Sequence, residues 1–175
     1  LSYKLKSYSN LYISLSRGYK AGGINQNPYL SLLHRTYGPE SNINYELGFK
    51  HYTQSLQTQL TCFYMRRKDQ QVSISNQQDE TDPTSFDFYT ANAATGYNFG
   101  SEFDFTFFVN KNLSLTMNMG YLITHVDPYE YYILADDIKT SVIAGDRDQA
   151  QAPIYTYFVG CNYNLPYGLA LGMNI

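Results

Sequence analysis

The segment Leu113-Ser-Leu-Thr-Met-Asn-Met-Gly-Tyr121 alternates strictly between large apolar side chains and small or polar ones. Successive side chains of a β-strand point to opposite faces, so this pattern predicts a strand with one apolar face and one polar face. The same period recurs in Leu11–Ser16, Tyr45–His51, Phe103–Phe107, Tyr155–Leu165 and, less cleanly, Leu56–Tyr64. A period of two residues therefore predicts an all-β fold for the chain.

The segments between these strands are alternately short and long. The short ones contain Asn, Ser, Pro or Gly, which favour turns; they are Lys6–Asn10, Thr53–Ser55, Asn110–Asn112 and Pro166–Gly168. The long ones are residues 22–40, 76–88 and 127–152. In an antiparallel sheet this alternation places all short turns at one edge and all long loops at the other, as in outer-membrane barrels. We therefore predict an antiparallel transmembrane β-barrel segment of about seven to eight strands.

The composition is typical of a membrane protein built from strands. The chain contains 19 Tyr and 10 Phe, and a tyrosine ring with its polar tip suits the boundary between lipid and water. The mean hydropathy of -0.39 excludes a helical membrane protein. A transmembrane helix needs roughly 18 consecutive apolar residues, and no segment of the chain approaches that length. The net charge is -3 and no stripe of basic residues occurs, so we do not predict binding to nucleic acid.

Two other classes of protein remain as alternatives. A soluble β-sheet binding protein would fill its interior with Val, Ile and Leu, whereas the polar strand faces here are rich in Ser, Thr, Asn, Gly and Gln. Such faces suit the hydrated lumen of a wide barrel. A passive porin-like barrel would add a constricting loop and opposed charges in its lumen. No GxSxG, HExxH, P-loop or Rossmann motif occurs, so we predict neither an enzyme nor a cofactor.

A series of short motifs carries a resemblance to a known family. In chain order they are Ser16–Gly23, Gly38–Glu40, Asn44–Lys50, Phe63–Tyr64, Asp69–Gln71, Asn92–Ala94, Gly100–Asp104 and Ala152–Pro153. Their order and spacing resemble the C-terminal half of the barrel in TonB-dependent outer-membrane receptors. The resemblance extends from about Leu1 to Leu171 and implies a parent barrel of about 22 strands around an N-terminal plug domain.

This resemblance implies a function and a set of partners. Residues 1–175 would be part of a receptor barrel domain, and the plug domain is absent from the chain. The chain starts at Leu1 and ends at Ile175 inside an alternating pattern, so we expect a fragment. The implied function is TonB-dependent uptake of a ferric siderophore or similar iron complex across the outer membrane of a Gram-negative bacterium. The implied partners are membrane lipid, lipopolysaccharide, that ligand, and the TonB complex acting through the plug.

Candidate site residues fall into two groups. Rings in the long loops are candidates for ligand contact, because such receptors capture their ligand at the extracellular loops; they are Tyr29, His34, Tyr37, Phe86, Tyr129 and Tyr131. Charged residues on polar strand faces are candidates for contact with a plug, because a charge facing lipid is costly; they are Glu46, Lys50, Glu102 and Asp104. The alternative for the second group is a ladder of wall charges satisfied by neighbouring strands.

Three further features of the sequence concern its cations, cysteines and possible metal ligands. Arg66–Lys68 is the main basic cluster, and we expect it at the outer end of its strand, facing either solvent or lipopolysaccharide phosphates. We interpret Cys62 and Cys161 as small apolar strand residues, with a disulfide between them left open. The 3 histidines are dispersed and the acidic loops lack ligand spacing, so no metal site is predicted.

Overall fold

The computed structural model describes residues 1–77, 81–82, 84–135 and 138–175. The tips of two predicted loops, at 78–80 with 83 and at 136–137, lie outside the described residues. In chain order the strands are β1 (Ser2–Lys6), β2 (Ser9–Lys20), β3 (Gly23–Ile24), β4 (Thr36–Tyr37), β5 (Glu40–Tyr52), β6 (Leu56–Gln77), β7 (Phe86–Phe108), β8 (Leu113–Val126), β9 (Tyr129–Ala135), β10 (Ile138–Ala144), β11 (Tyr155–Asn164) and β12 (Ala170–Asn174).

Eight of these strands form one sheet in the order β1-β2-β5-β6-β7-β8-β11-β12. Every neighbouring pair in that sheet is antiparallel, which confirms the predicted fold class. Among the described residues, no helix has the length and apolar character that would let it cross a membrane.

The short connections all lie at one edge of the sheet, as predicted. Side chains shape two of these turns: the Thr53 hydroxyl donates to the Leu56 carbonyl and accepts from the Leu56 amide. In the next turn, Asn110 Oδ1 accepts hydrogen bonds from the amides of Asn112 and Leu113, which is how Asn commonly stabilises a turn. A short 3-10 turn at Pro166–Gly168 joins β11 to β12.

The long connections contain more strand than the sequence predicted. β6 and β7 remain paired out to Gln77 and Phe86, so they enter both ends of the loop predicted at 76–88. Residues 127–152 contain the β9–β10 hairpin, and residues 22–40 contain β3, β4 and a 3-10 turn at Leu32–His34. The difference arises because ladder hydrogen bonds need only backbone groups. A strand outside the bilayer can therefore form without an apolar face, and no alternation in the sequence then marks it as a strand.

Two register shifts interrupt the β6–β7 ladder beside Asp69. Arg67 pairs with Gly96, Gln70 with Ala94 and Gln71 with Asn92, so each strand carries one extra residue near this point. Asp69 has a φ of 55°, in the left-handed region that Asp tolerates better than most residues. These bulges divide the long hairpin into a part inside the eight-stranded sheet and an outer part.

The register separates the residues of the sheet onto two faces of different character. One row on the polar face contains Asn10, Lys50, Gln59, Asp104 and Asn118. The adjacent row on the other face contains Leu11, Phe49, Leu60, Phe103 and Met119. Large apolar side chains of this second face are exposed, and we call it the outer face. Exposed apolar surface on this scale is typical of a barrel wall that lipid covers.

We expect the isolated 175-residue chain to aggregate in detergent-free buffer. Within the described residues, β1 and β12 each pair on one side only, and such free edges recruit further strands. The exposed apolar side chains of the outer face also favour association between copies of the chain. Size-exclusion chromatography with light scattering is the measurement. A monomeric peak with a cooperative unfolding transition would contradict this expectation.

Candidate functional site

A small apolar cluster lies at the loop edge of the sheet, beyond the bulges. Ile74 and Tyr89 face each other across β6 and β7, and both pack with Leu30 from the connection between β2 and β5. All three side chains are buried, which is rare in this chain: Ala94 is the only other apolar side chain buried among the described residues. The cluster therefore attaches the first long connection to the outer part of the β6–β7 hairpin.

Amide side chains strengthen this attachment. Asn25 Nδ2 donates to the carbonyls of His34 at 2.7 Å and Thr90 at 2.8 Å, and Asn25 Oδ1 accepts from the Thr90 amide at 2.9 Å. Asn25 thus pairs with the Thr90 backbone much as a neighbouring strand would. Asn27 adds a hydrogen bond of 2.8 Å from its Nδ2 to Asp87 Oδ1.

Three motifs that are distant in the sequence meet next to the bulge. Asn92 Oδ1 accepts from the Gly38 amide at 2.5 Å, while Asn92 Nδ2 donates to the carbonyls of Gly38 and Asp69. Gln71 Nε2 donates to the Gly38 carbonyl at 3.1 Å, and the Gln71 amide donates to Glu40 Oε2 at 3.1 Å. The motifs at 38–40, 69–71 and 92–94 therefore share one structural task, which is to hold the start of β5 against β6 and β7.

A half-open cleft of about 280 Å³ lies above this junction. Its lining combines rings with polar groups: His34, Thr36, Tyr37, Gly38, Ile74, Tyr89, Thr90, Ala91, Asn92, Glu130 and Tyr131. The His34 ring stacks on Tyr89 with 4.6 Å between ring centroids. Burial raises the pKa of the Tyr89 phenol, and Tyr131 and Asp87 nearby raise it further. The cleft thus offers ring surfaces beside amide and carboxylate groups.

The structure brings together some of the predicted loop residues and separates others. His34, Tyr37 and Tyr131 line the cleft. Tyr129 lies beside Tyr131, with 6.1 Å between ring centroids, but is outside the lining.

The other two predicted rings are not part of the cleft lining. Tyr29 is 89% exposed. Phe86 lies on the face of β7 opposite to Tyr89, because the two residues are three positions apart in a strand whose side chains alternate between faces.

Sequence reasoning missed Tyr89, Asn92 and Glu130 as cleft residues. Tyr89 directly follows the segment predicted as a loop, and the predicted strand in this part of the chain began only at Phe103, whereas β7 begins at Phe86. Asn92 was recognised only as part of a motif. Its two-sided hydrogen bonding to Gly38 depends on a contact between residues 54 positions apart, which no local pattern reveals.

The predicted lumen residues lie together on the polar face. The Tyr12 hydroxyl donates to Glu46 Oε1 at 2.6 Å, and Lys50 Nζ lies 5.1 Å from the centroid of the Tyr12 ring. Gly48 lies under that ring, and a Cβ at this position would collide with it. The wall itself therefore satisfies Glu46, and Lys50 makes a cation–π contact there.

Glu102 and Asp104 differ in their partners. Asp104 Oδ1 accepts a hydrogen bond of 2.5 Å from Asn118 Nδ2. Glu102 has no hydrogen-bond or ion-pair partner among the described residues, and it lines a shallow depression with Asp104, Gly120 and Thr156. Of the four predicted lumen residues, Glu102 is thus the carboxylate left open to the space above the polar face.

Among the described residues, neither the cleft nor the polar face contains a disulfide or a cluster of metal-binding side chains. Cys62 and Cys161 are free thiols in this structure, with no disulfide between them. Within the described ranges, no three His, Cys, Asp or Glu side chains gather closely enough to hold a metal ion.

Comparison with known proteins gives consistent matches. Residues 1–174 match the family model described as TonB dependent receptor-like, beta-barrel. Over 70 residues the chain is 34% identical to the pesticin receptor of Yersinia enterocolitica, covering 40% of this chain and 10% of that protein.

Two solved structures share the fold. The ferric yersiniabactin uptake receptor FyuA from Yersinia pestis matches with a TM-score of 0.71 and 22% identity, over 98% of this chain and 23% of FyuA. The siderophore receptor PirA from Acinetobacter baumannii matches with a TM-score of 0.59 and 17% identity, over 98% of this chain and 26% of PirA.

The chain thus spans only a small part of each relative that it matches. At these identities the two structures establish the fold, while the family model, which describes a receptor barrel and not an enzyme, covers nearly the whole chain. The resemblance carried by the motif series is confirmed. The chain belongs to the TonB-dependent receptor family, as a segment of its β-barrel.

Proposed function

We propose that this chain is part of the wall of an outer-membrane receptor that takes up a ferric siderophore or similar iron complex in a Gram-negative bacterium. Family membership supports receptor function, and of the two similar solved structures one is named as a ferric yersiniabactin uptake receptor and the other as a siderophore receptor. The observation that carries the proposal is the cleft at the loop edge. There a connection held in place by Leu30, Asn25 and Asn92 presents rings beside polar groups.

The cleft is suited to one side of a bulky ligand. Its volume of about 280 Å³ is smaller than a typical pocket for a whole ligand of drug size. In our proposal, loops from the rest of the barrel complete the site. His34, Tyr37 and Tyr131 supply ring contacts, and Asn92 and Glu130 supply polar contacts.

The polar face is assigned to the lumen and to a plug domain outside this chain. Glu102, which lacks a partner among the described residues, is the wall carboxylate best placed to accept hydrogen bonds from a plug. Glu46 is already bound to Tyr12 and is assigned a role within the wall. The TonB complex would act through the plug, so this chain would serve as the fixed frame against which the plug moves.

The test is iron uptake by the full-length receptor that contains this segment. It is produced in a Gram-negative strain without siderophore receptors of its own, and a panel of ferric siderophores is supplied under iron limitation. We expect growth with at least one of them, and loss of that growth when tonB is deleted. Growth that persists without TonB would favour the porin-like alternative, and no uptake of any iron complex would contradict the proposed ligand class.

Replacing Tyr131 by alanine should weaken ligand binding by about tenfold, because a ring contact in the cleft contributes roughly 0.5–1.5 kcal/mol beyond its buried area. Phe86→Ala is the matched control, since this ring lies at the same edge but on the face away from Tyr89. Binding of the labelled iron complex to whole cells is the measurement. Equal losses in the two variants would rule out the cleft as the site.

A further inference from the structure

The basic triplet Arg66–Lys68 is divided between the two faces of the sheet. Arg67 pairs with Asn42 and Gly96 on the polar face, where it is buried and donates a hydrogen bond to Asn98. Arg66 and Lys68 lie on the outer face and are exposed. The register brings a third exposed cation to the same region: Arg17 of β2 faces Ile43, and Ile43 faces Arg66. We call Arg17, Arg66 and Lys68 the outer cation cluster.

The outer cation cluster lies beside a band of rings. Tyr45, Tyr64, Tyr97 and His125 cross the outer face on four successive strands, with neighbouring ring centroids 5.5 to 6.5 Å apart. Tyrosine rings in such a band mark the boundary between hydrocarbon and headgroups. Arg66 follows Tyr64 by two residues on the same face, towards the loop edge. The cluster is therefore at the level of the headgroups in the outer leaflet.

The cluster has no counter-charge of its own. Arg17, Arg66 and Lys68 make no hydrogen bond or ion pair with another described residue. The carboxylates of β5 and β7 below the bulge, which are Glu40, Glu46, Glu102 and Asp104, all lie on the polar face. Three unpaired cations next to a lipid-covered surface favour an anionic partner from the membrane itself.

The spacing indicates more than one phosphate. Arg17 and Arg66 are two strands apart, which separates their backbones by about 10 Å, and Lys68 is about 7 Å further along β6. Long side chains can span such gaps, and Arg binds phosphate through two parallel hydrogen bonds. We infer that the outer cation cluster binds an outer-leaflet lipid whose headgroup carries two phosphates, of the lipid A class. This inference relies on the proposed outer-membrane location.

The experiment uses the purified full-length receptor in detergent, titrated with diphosphoryl lipid A, monophosphoryl lipid A and phosphatidylcholine. Bound lipid is counted by native mass spectrometry. We expect affinity to decrease in that order. Each of Arg17→Gln, Arg66→Gln and Lys68→Gln should weaken diphosphoryl lipid A binding about fivefold, and the triple variant on the order of a hundredfold. Arg66→Lys should keep most of the affinity.

Lys111→Gln is the matched control, because it removes one exposed cation at the short-turn edge. Unchanged binding in the triple variant, an equal loss in the control, or equal affinity for phosphatidylcholine would overturn the inference. Displacement of the lipid by inorganic phosphate would identify a free-phosphate site instead. Heat-modifiable migration on gels confirms that each variant is folded. TonB-dependent iron uptake, measured separately, distinguishes failure of this inference from failure of the proposed function.

Discussion

Replacing Leu60 by arginine is expected to destabilise the receptor barrel by about 2–4 kcal/mol, the cost of a cation at the lipid-facing midplane of a barrel wall. Leu60 lies on the outer face in a row with Phe49 and Phe103, and its side chain is 43% exposed. Leu60 is four positions before Tyr64 of the ring band, so an arginine here reaches headgroups poorly. Denaturant titration of the full-length receptor in lipid vesicles measures the effect.

Gln59→Arg is the matched control for this substitution. Gln59 precedes Leu60, points to the polar face and pairs in register with Lys50 on one side and Asp104 on the other, so a new cation there meets water and one charge of each sign. We expect less than about 1 kcal/mol of change. Equal damage from the two substitutions would show that the two faces have been assigned wrongly, and would restore the soluble β-sheet alternative.

Replacing Tyr89 by alanine is expected to release the first long connection and to abolish high-affinity ligand binding. A buried ring removed from a core costs roughly 3–5 kcal/mol, and this cluster has few other buried side chains to compensate. Hydrogen exchange should show lost protection in residues 22–37, while the sheet keeps its own. Tyr29→Ala is the control, since that ring is exposed. Undiminished protection in Tyr89→Ala would exclude the cluster as the anchor.

Tyr89 also makes the attachment of the first long connection to the β6–β7 hairpin depend on pH. The raised pKa of Tyr89 means that the folded cluster favours the neutral phenol over the phenolate. Its stabilising effect is therefore fully present below the ordinary tyrosine pKa of 10.0 and is lost as the pH rises through the higher pKa of the folded state. Protection of residues 22–37 should decrease on alkalinisation in the native receptor. In Tyr89→Phe the decrease should be smaller.

The strands inside the membrane were predictable because lipid and lumen impose opposite demands on alternate residues. That is why Leu113–Tyr121 and Tyr45–His51 were recognised as strands with correct faces. The β9–β10 hairpin and the outer ends of β6 and β7 were missed, since water on both sides imposes no such alternation. The prediction for Arg66 and Arg67 was wrong for a different reason. The period of two places them on opposite faces of β6, whereas Arg66–Lys68 was interpreted as one basic cluster.

The cleft was less predictable than the wall. Its rings were partly found because Tyr and His are conspicuous in loops, yet the same criterion also selected Tyr29 and Phe86, which the structure places elsewhere. The anchoring contacts join Asn25 to Thr90 and Gly38 to Asn92 across 65 and 54 positions. Contacts of this length are set by how the loop folds back on the hairpin, and a single sequence carries no local sign of them.

The two bulges beside Asp69 have a consequence for how such receptors diversify. From Arg67 to Gln71 the chain advances four residues, and from Gly96 back to Asn92 it also covers four, so the offsets cancel. The outer hairpin therefore contributes nothing to the stagger by which the barrel closes. Evolution can lengthen, shorten or exchange that hairpin without changing the shear of the wall. Selection for a new cargo is thereby insulated from selection for insertion into the membrane.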